Sequence, residues 1–290
     1  MNDPLQKNDQ LQRFIFENLD LRGELVVLED SWQAILQNAE YPVEVQTMLG
    51  QALTSVALLS ATIKYEGSLI LQVQGSGPLS TLVAQATNKG DLRGLARWKG
   101  EVPDNGLQDI FGKGQMVITV STPGKEPHQS IVGLFGEQLA DSLEHYFLNS
   151  EQLATRFWFF VNEHKAGALL LQQLPNSRST EEDWERVCIL ADTTTEEEML
   201  NLPGEALLHR LFHEEQVRLF EPTALRFKCG CSTEKIESTL FTLGKHNLDE
   251  ALAEEGQITI DCDFCNKQYI YTQKEIETLF TIEQESDSLH

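Results

Sequence analysis

The 290-residue sequence predicts an α+β protein in three parts: a mixed α/β core domain over 1–175, an acidic helical connector over 176–225, and a small cysteine-bearing domain over 226–290. Three observations point there. Strand-like and helix-period segments alternate up to about Pro175. The density of like charge then rises sharply. Finally, four of the five cysteines lie in two close pairs near the C-terminus.

Arg22 to Leu28 predicts a strand and Ser31 to Asn38 a helix. A longer apolar helix follows Tyr41-Pro42 and runs to about Lys64. SLILQVQG, PLSTLVAQA, DLRGLAR and MVITVS then read as strands, separated by Gly-Ser-Gly, Asn-Lys-Gly and a Gly-rich loop. In GEQLADSLEHYFLNSEQ, residues Leu139, Leu143, Tyr146 and Phe147 recur at helical spacing. RFWFFV and AGALLLQQL return to strands, the run Phe157 to Phe160 being a buried one.

Residues 176–221 carry 12 Asp and Glu against 4 Arg, whereas the far longer 1–175 carries 20 acids against 12 bases. The connector still has helical pattern: EEDWERVCILAD, TEEEML and PGEALLHRLFHEE each gather apolar residues on one face. Like charges three or four apart weaken a helix, and most helical stability comes from packing an apolar face. The connector is therefore expected to be ordered only while it is docked.

At 41% hydrophobic the chain can bury a real core, but its formal net charge is −23. That balance argues against a nucleic-acid partner and against docking on an anionic membrane, since both rest on Lys and Arg. The start, MNDPLQKNDQLQRF, has no apolar stretch behind a basic segment. The most apolar run, Leu49 to Ile63, is broken by Gln51, Thr54, Ser55 and Ser60 and is shorter than the roughly 20 residues a membrane span needs. A soluble, cytoplasmic protein is expected, and in a reducing compartment clustered cysteines bind metal or do redox chemistry.

The cysteines read KCGC (228–231) and CDFC (262–265), with residues 232–261 between. Zinc takes four soft ligands in a tetrahedron, and a short-spaced pair at each end of a small domain supplies them, so Cys229, Cys231, Cys262 and Cys265 are the expected ligands of one Zn2+. Ser232 can cap a helix TEKIESTLFTL ended by Gly244. Asn247 with Glu250 resembles a capping box for a second helix ended by Gly256. ITIDC and KQYIYT flank the second pair as strands. Four unrelated buried cysteines would not account for two paired spacings. The Cys-x-Cys pair and the acidic connector leading into it favour a switch over a static metal site, because thiolates are the oxidisable form of cysteine.

Other motifs fail. Gly112-Lys113, Gly124-Lys125 and Gly244-Lys245 lack the Ser or Thr of a phosphate loop, and no Gly-x-Ser-x-Gly elbow occurs. His209 and His213 lie four apart, but Arg210 stands where a zinc protease needs Glu. No enzymatic activity is expected.

The chain resembles the 33-kDa heat-shock chaperonins, a family of redox-regulated holdases, over nearly its whole length. The likeness lies in LLSATIKYEGSLILQVQGSGPL, GDLRGLAR, STPGKEPHQSIVGLFGEQLADSLEHYFLNSEQL, LLHRLFHEEQVRLFEP, FKCGCS and CDFCNKQYIY. The resemblance implies a reduced, zinc-bound and inactive form. Oxidation would form Cys229–Cys231 and Cys262–Cys265 disulfides, eject the zinc and unfold the domain and connector. The protein would then capture unfolding client proteins without ATP and dimerise. Trp184, Leu190, Met199, Leu207, Leu211 and Phe212 are the candidate client surface, with Phe157 to Phe160 a lesser one; the same connector residues also read as its docking face. Cys188 matches no ligand position. A zinc-ribbon interaction or nucleic-acid module with a structural zinc is the alternative, and a thiol–disulfide exchange enzyme using Cys262 and Cys265 a third reading.

Overall fold

The structure, a computed structural model, describes residues 9–63, 65–175 and 179–287. Lys64, the expected end of the long helix, and residues 176–178 of the connector lie outside the described residues. The chain forms two compact units that meet in sequence between Lys228 and Cys229.

The first unit opens with β1 (Gln10–Phe16) and β2 (Leu21–Leu28), then α1 (Asp30–Leu36) and α2 (Val43–Thr62). There follow β3 (Ser68–Gly75), β4 (Leu79–Thr87), β5 (Asp91–Trp98), α3 (Leu107–Phe111), β6 (Gly114–Ser121), β7 (His128–Gly133) and α4 (Leu139–Tyr146), which runs into a π-helical turn at Phe147–Glu151. The unit continues with β8 (Thr155–Val161), β9 (Ala166–Gln173), α5 (Glu181–Asp192), α6 (Glu196–Asn201), α7 (Gly204–Phe212), β10 (Val217–Leu219), β11 (Thr223–Ala224) and β12 (Arg226–Phe227). One sheet has the order β10-β1-β2-β9-β8, with β11 also on β1, and the other the order β12-β5-β4-β3-β6-β7. Every pairing is antiparallel except β12 on β5.

α2 packs against strands of both sheets. It is buried nearly all round, with Val45, Leu49, Ala52, Leu53, Val56, Ala57 and Leu58 fully covered. A helix apolar on every side belongs inside a protein, which is why this stretch carries so few charges. Together with the sheets it forms the main core of forty buried residues.

The connector helices cover the opposite face of the first sheet. Val187, Ala191, Met199, Leu200, Leu207, Leu208, Leu211 and Phe212 join Phe14, Phe16, Leu21, Leu25, Leu169 and Leu171 in a second core. Strand alternation divides β8 between the two: Phe157 and Phe159 face the main core, Trp158 and Phe160 the connector. Only Phe157 of that run is fully buried, so the expectation of a wholly buried aromatic strand is corrected. The backbones approach closely here. A Cβ on Gly167 would come within 2.8 Å of Leu200 Cδ2, and one on Gly23 within 2.1 Å of the Phe14 ring.

The three capping sites that begin α5, α6 and the last helix of the chain use Thr with an acid three residues on. In the connector these are Thr180 with Asp183 and Thr195 with Glu198. The acids so dense in the sequence thus sit in first turns, where they meet the positive end of the helix dipole. Trp158 Nε1 donates to Asp192 Oδ1 at 2.7 Å, Lys165 Nζ to the Leu200 carbonyl at 3.1 Å, and Arg210 lies 2.8 Å from Glu198.

Glu24 on β2 is buried beneath α2's side of the sheet, and its Oε2 has no hydrogen-bond partner among the described residues. Burial pushes its carboxyl up to about 7, despite the opposing charges of Arg22 and Arg13. A raised folded-state value stabilises the fold fully below the ordinary carboxylate range, and that contribution is lost as pH climbs to about 7. Stability of the first unit is expected to fall by at most about 3 kcal/mol across that window. Glu24→Gln should flatten the dependence and be the more stable protein at pH 8, as read by urea unfolding at acidic and alkaline pH.

The second unit holds α8 (Thr233–Leu243), α9 (Lys245–Glu255), β13 (Ile258–Asp261), β14 (Gln268–Tyr271) and α10 (Gln273–Asp287), which Thr272 and Glu275 begin. Ser232 caps α8 as expected, accepting from Lys235 N. The Asn247–Glu250 capping box does not form. α9 begins directly after Gly244, two residues before Asn247, whose Nδ2 instead donates to the Leu243 carbonyl at 2.7 Å. The core of this unit is small: Leu240, Leu248, Leu252, Tyr269, Tyr271 and Ile276.

Candidate metal centre

Each pair of cysteines sits on a turn that the second unit's elements fix. Cys229 and Cys231 lie just before the α8 cap, and Lys235 Nζ reaches back to the Gly230 carbonyl at 2.6 Å to hold their loop. Cys262 and Cys265 form a knuckle between β13 and β14. Cys262 N donates to the Lys267 carbonyl at 3.0 Å, while Cys265 N and Asn266 N both donate to the Cys262 carbonyl at 3.2 and 2.8 Å. Asn266 closes the knuckle at φ 53°, a left-handed conformation that Asn tolerates better than most residues.

The four sulfurs, from two motifs with residues 232–261 between them, converge within 4.8 Å of one another. Across the pairs, Cys229 lies 3.5 Å from Cys262 and Cys231 lies 3.5 Å from Cys265. All five cysteines are free thiols, and the four here are half-buried. Zinc–sulfur bonds of about 2.3 Å give a tetrahedron with edges of about 3.8 Å, so sulfurs 3.5 to 4.8 Å apart fit such a donor set. Four sulfurs suit a soft or borderline cation rather than calcium or magnesium, which take oxygen.

Burial pushes the Cys265 thiol up to about 12 and raises Cys262 as well. Cys231 goes the other way. The neighbouring Tyr269 hydroxyl holds its thiol down to about 7, and Tyr269 is itself raised by Cys231. Tyr269 and Lys267, whose Nζ stands 4.8 Å from the Tyr269 ring centroid, are site neighbours that the sequence reading missed. The signal was present in QYIY, where strand alternation sets Tyr269 and Tyr271 on one face.

The remaining predicted site residues fall in the first unit. Met199, Leu207, Leu211 and Phe212 are buried in the connector core, with Trp184 and Leu190 partly covered beside them. Cys188 is buried on α5, where burial pushes its thiol up to about 12. His209 and His213 are exposed, with ring centroids 6.2 Å apart. Among the described residues the four-cysteine set is the metal-competent cluster of three or more ligands, and no described helix is long and apolar enough to cross a membrane.

Fold and site together define the class: a mixed α+β protein with two sheets around a buried helix, carrying a C-terminal four-cysteine cluster that could hold a metal ion. The family model for Hsp33 protein matches residues 9–272. The 33 kDa chaperonin of Nitrosococcus oceani is 52% identical over 277 residues, 96% of each chain. That of Vibrio cholerae is 41% identical over 94% of this chain and 96% of its own. The crystal structure of the 33 kDa chaperonin from Thermotoga maritima matches with a TM-score of 0.83 at 24% identity, over 95% of this chain and 99% of that one, a likeness of fold. The chain belongs to the Hsp33 family.

Proposed function

We propose that this chain is a cytoplasmic, ATP-independent holdase that oxidation switches on. The observation that carries the reading is the convergence of four free sulfurs within 4.8 Å at the head of a unit whose own core is six side chains. In the reduced form Cys229, Cys231, Cys262 and Cys265 hold one Zn2+. The bound ion supplies a four-point cross-link, worth about 10–16 kcal/mol of apparent binding energy in zinc-finger peptides.

Peroxide takes two electrons from each thiol pair. The Cys229 and Cys231 sulfurs join, as do those of Cys262 and Cys265, and two peroxide molecules leave as four waters, taking four protons from solvent because the ligand sulfurs are thiolates. Pairing within each short motif closes only local loops. The tie between residues 229–231 and 262–265 is thereby lost, whereas cross-pair disulfides would have kept it. Sulfurs committed to disulfides no longer serve as thiolate ligands, and the unit unfolds.

The division into a core over 1–175, a connector over 176–225 and a redox-switch domain over 226–290 follows from the same reading. The connector, dense in acids and joined directly to the cysteine unit, undocks with it. Trp184, Leu190, Met199, Leu207, Leu211 and Phe212 then become available to unfolded clients, and the oxidised form dimerises. The reading assigns no catalytic residue, no nucleic-acid partner and no membrane association.

The test is light scattering of an aggregating client. Peroxide-treated protein should suppress the scattering and reduced, zinc-loaded protein should not, with peptide mapping finding both local disulfides. Equal suppression by the two forms would leave a structural zinc as the correct account.

A further inference from the structure

We propose that the cavity at the C-terminal end of α2 binds a small phosphorylated organic molecule, with Arg13 and Arg22 on its phosphate. The site lies wholly in the first unit and owes nothing to the metal centre.

The cavity, of about 560 Å³, opens where β1, β2, the end of α2, the β4–β5 turn and β11 meet. Sites for small molecules run about 300–1,000 Å³ and combine apolar walls with a few convergent polar groups. Leu11, Ile63 and Leu225 supply walls here. Arg13, Arg22, Thr87 and Asn88 supply polar groups, and no acid is among the described lining residues. The chain has 45 Asp and Glu against 22 Lys and Arg, and each of four other cavities carries at least one acid. This cavity is the positively charged exception.

Register places the two guanidiniums together. Arg13 pairs with Glu24 and Ile15 with Arg22, so the arginines stand diagonally on one face of the first sheet. Arg22 is fixed in aim. Its Nε and Nη2 donate to Gln172 Oε1, and Gln172 Nε2 donates in turn to Thr155 Oγ1 at 2.7 Å. Nη1 donates to the Thr62 carbonyl at 3.4 Å, covering a helix-end carbonyl that would repel an anion, and the fork keeps further N–H donors. Arg13 lies over the Phe220 ring at 5.6 Å and makes no ion pair or side-chain hydrogen bond among the described residues. Glu24 is buried, does not line the cavity and offsets at most one of the two charges.

Asn88 Oδ1 accepts from Gly67 N and Thr87 Oγ1 from Asp91 N, both at 3.1 Å, so the Asn88 amide and Thr87 hydroxyl hydrogens are left to donate. Two guanidiniums beside neutral donors match a phosphate, which accepts forked, charge-assisted bonds. Thr223 and Leu225 bring the strand that follows the connector into the same wall. β11 is held by a two-residue pairing with β1, and Leu225 N donates to the Asp9 carbonyl at 3.0 Å. A ligand seated between the arginines and this strand ties it down.

Phenyl phosphate is the probe, titrated into the full chain by calorimetry at an ionic strength held constant with chloride. Saturable one-to-one binding is expected, with slower hydrogen exchange of the amides at 223–225. Inorganic phosphate should bind more weakly, because it lacks the body that the apolar walls cover; equal affinity would overturn the organic part of the assignment. Arg13→Gln should weaken binding about ten- to a hundredfold, the loss of one charge-assisted contact. Arg218→Gln is the matched control and should bind as the parent does. Its guanidinium lies over the same Phe220 ring at 5.2 Å but is not among the lining residues. No saturable binding by the parent, or equal losses in the two variants, would overturn the site. Should Arg13→Gln not fold, the Arg22 Nε–H resonance of the parent decides. A shift that saturates with phenyl phosphate supports the site, and an unmoved resonance sinks it.

Discussion

Cys262→Ser is expected to unfold the cysteine unit outright while the two-sheet core keeps its fold. The unit's buried core is six side chains, against forty in the main core and fourteen beneath the connector. A domain of this size sits at the lower edge of what apolar burial alone sustains, and natural domains so small commonly depend on a metal or disulfides. Its described elements are three helices and a two-stranded sheet, and an isolated two-stranded hairpin is marginal in water. Serine presents an oxygen that stays protonated where Cys262 offers a thiolate, so the four-point cross-link becomes an incomplete one. The helix signal of α8, α9 and α10 should disappear from circular dichroism, and the amides of β13 and β14 should lose hydrogen-exchange protection. A chelator acting on the parent should reproduce both changes. Protected β13 and β14 amides in the metal-free variant would show that the fold stands without the ion.

The sequence made the cysteine centre legible because ligand spacing is a local property. KCGC and CDFC declare their turns within four residues each, and Ser232 announces its helix just as locally. The same holds for α5, where Thr180 and Asp183 bracket the first turn of a clear amphipathic run. What the sequence concealed is non-local. β1 shows no clean alternation, burying Leu11 in the main core and Phe14 and Phe16 beneath the connector, and it pairs with β2 and with β10, the latter about two hundred residues away. β11 and β12 are two residues long and exist through their partners β1 and β5. β7 is an edge strand, exposed along most of its length, so no hydrophobic alternation marks it. Asn247 misled for a related reason: a capping residue and a residue closing the preceding helix have the same chemistry, and only the one-residue link at Gly244 decides between them. Tyr269 was readable as a strand residue but not as a neighbour of Cys231, because the turn that brings them together spans the whole unit.

Phe212→Ala should undock the connector in reduced protein with its metal still bound. Phe212 is 1% exposed and closes an aromatic cluster, its ring 5.0 Å from Phe16 in an edge-to-face arrangement and 6.2 Å from Phe14. Gly23 beneath that cluster has no side chain, and any added there would collide with the Phe14 ring. Truncating a buried phenylalanine costs about 3–5 kcal/mol, the larger values arising where neighbours cannot collapse into the space. The polar locks cannot make up the difference. Arg210–Glu198 and Arg156–Asp192 are surface ion pairs at 2.8 and 3.6 Å, and such pairs contribute about 0–1 kcal/mol each. Repulsion among the connector's 12 acids, set against 4 Arg, works against docking throughout. Apolar burial therefore decides whether this segment is folded, and Phe212 is its largest fully buried side chain on the connector. Limited proteolysis should cut the reduced variant between residues 179 and 221, where the parent resists. Its zinc content should equal the parent's, and it should suppress client aggregation without oxidant. Parent-like protection of α5 and α7 in the reduced variant would mean that docking does not rest on this contact, and that the metal centre restrains the connector by itself.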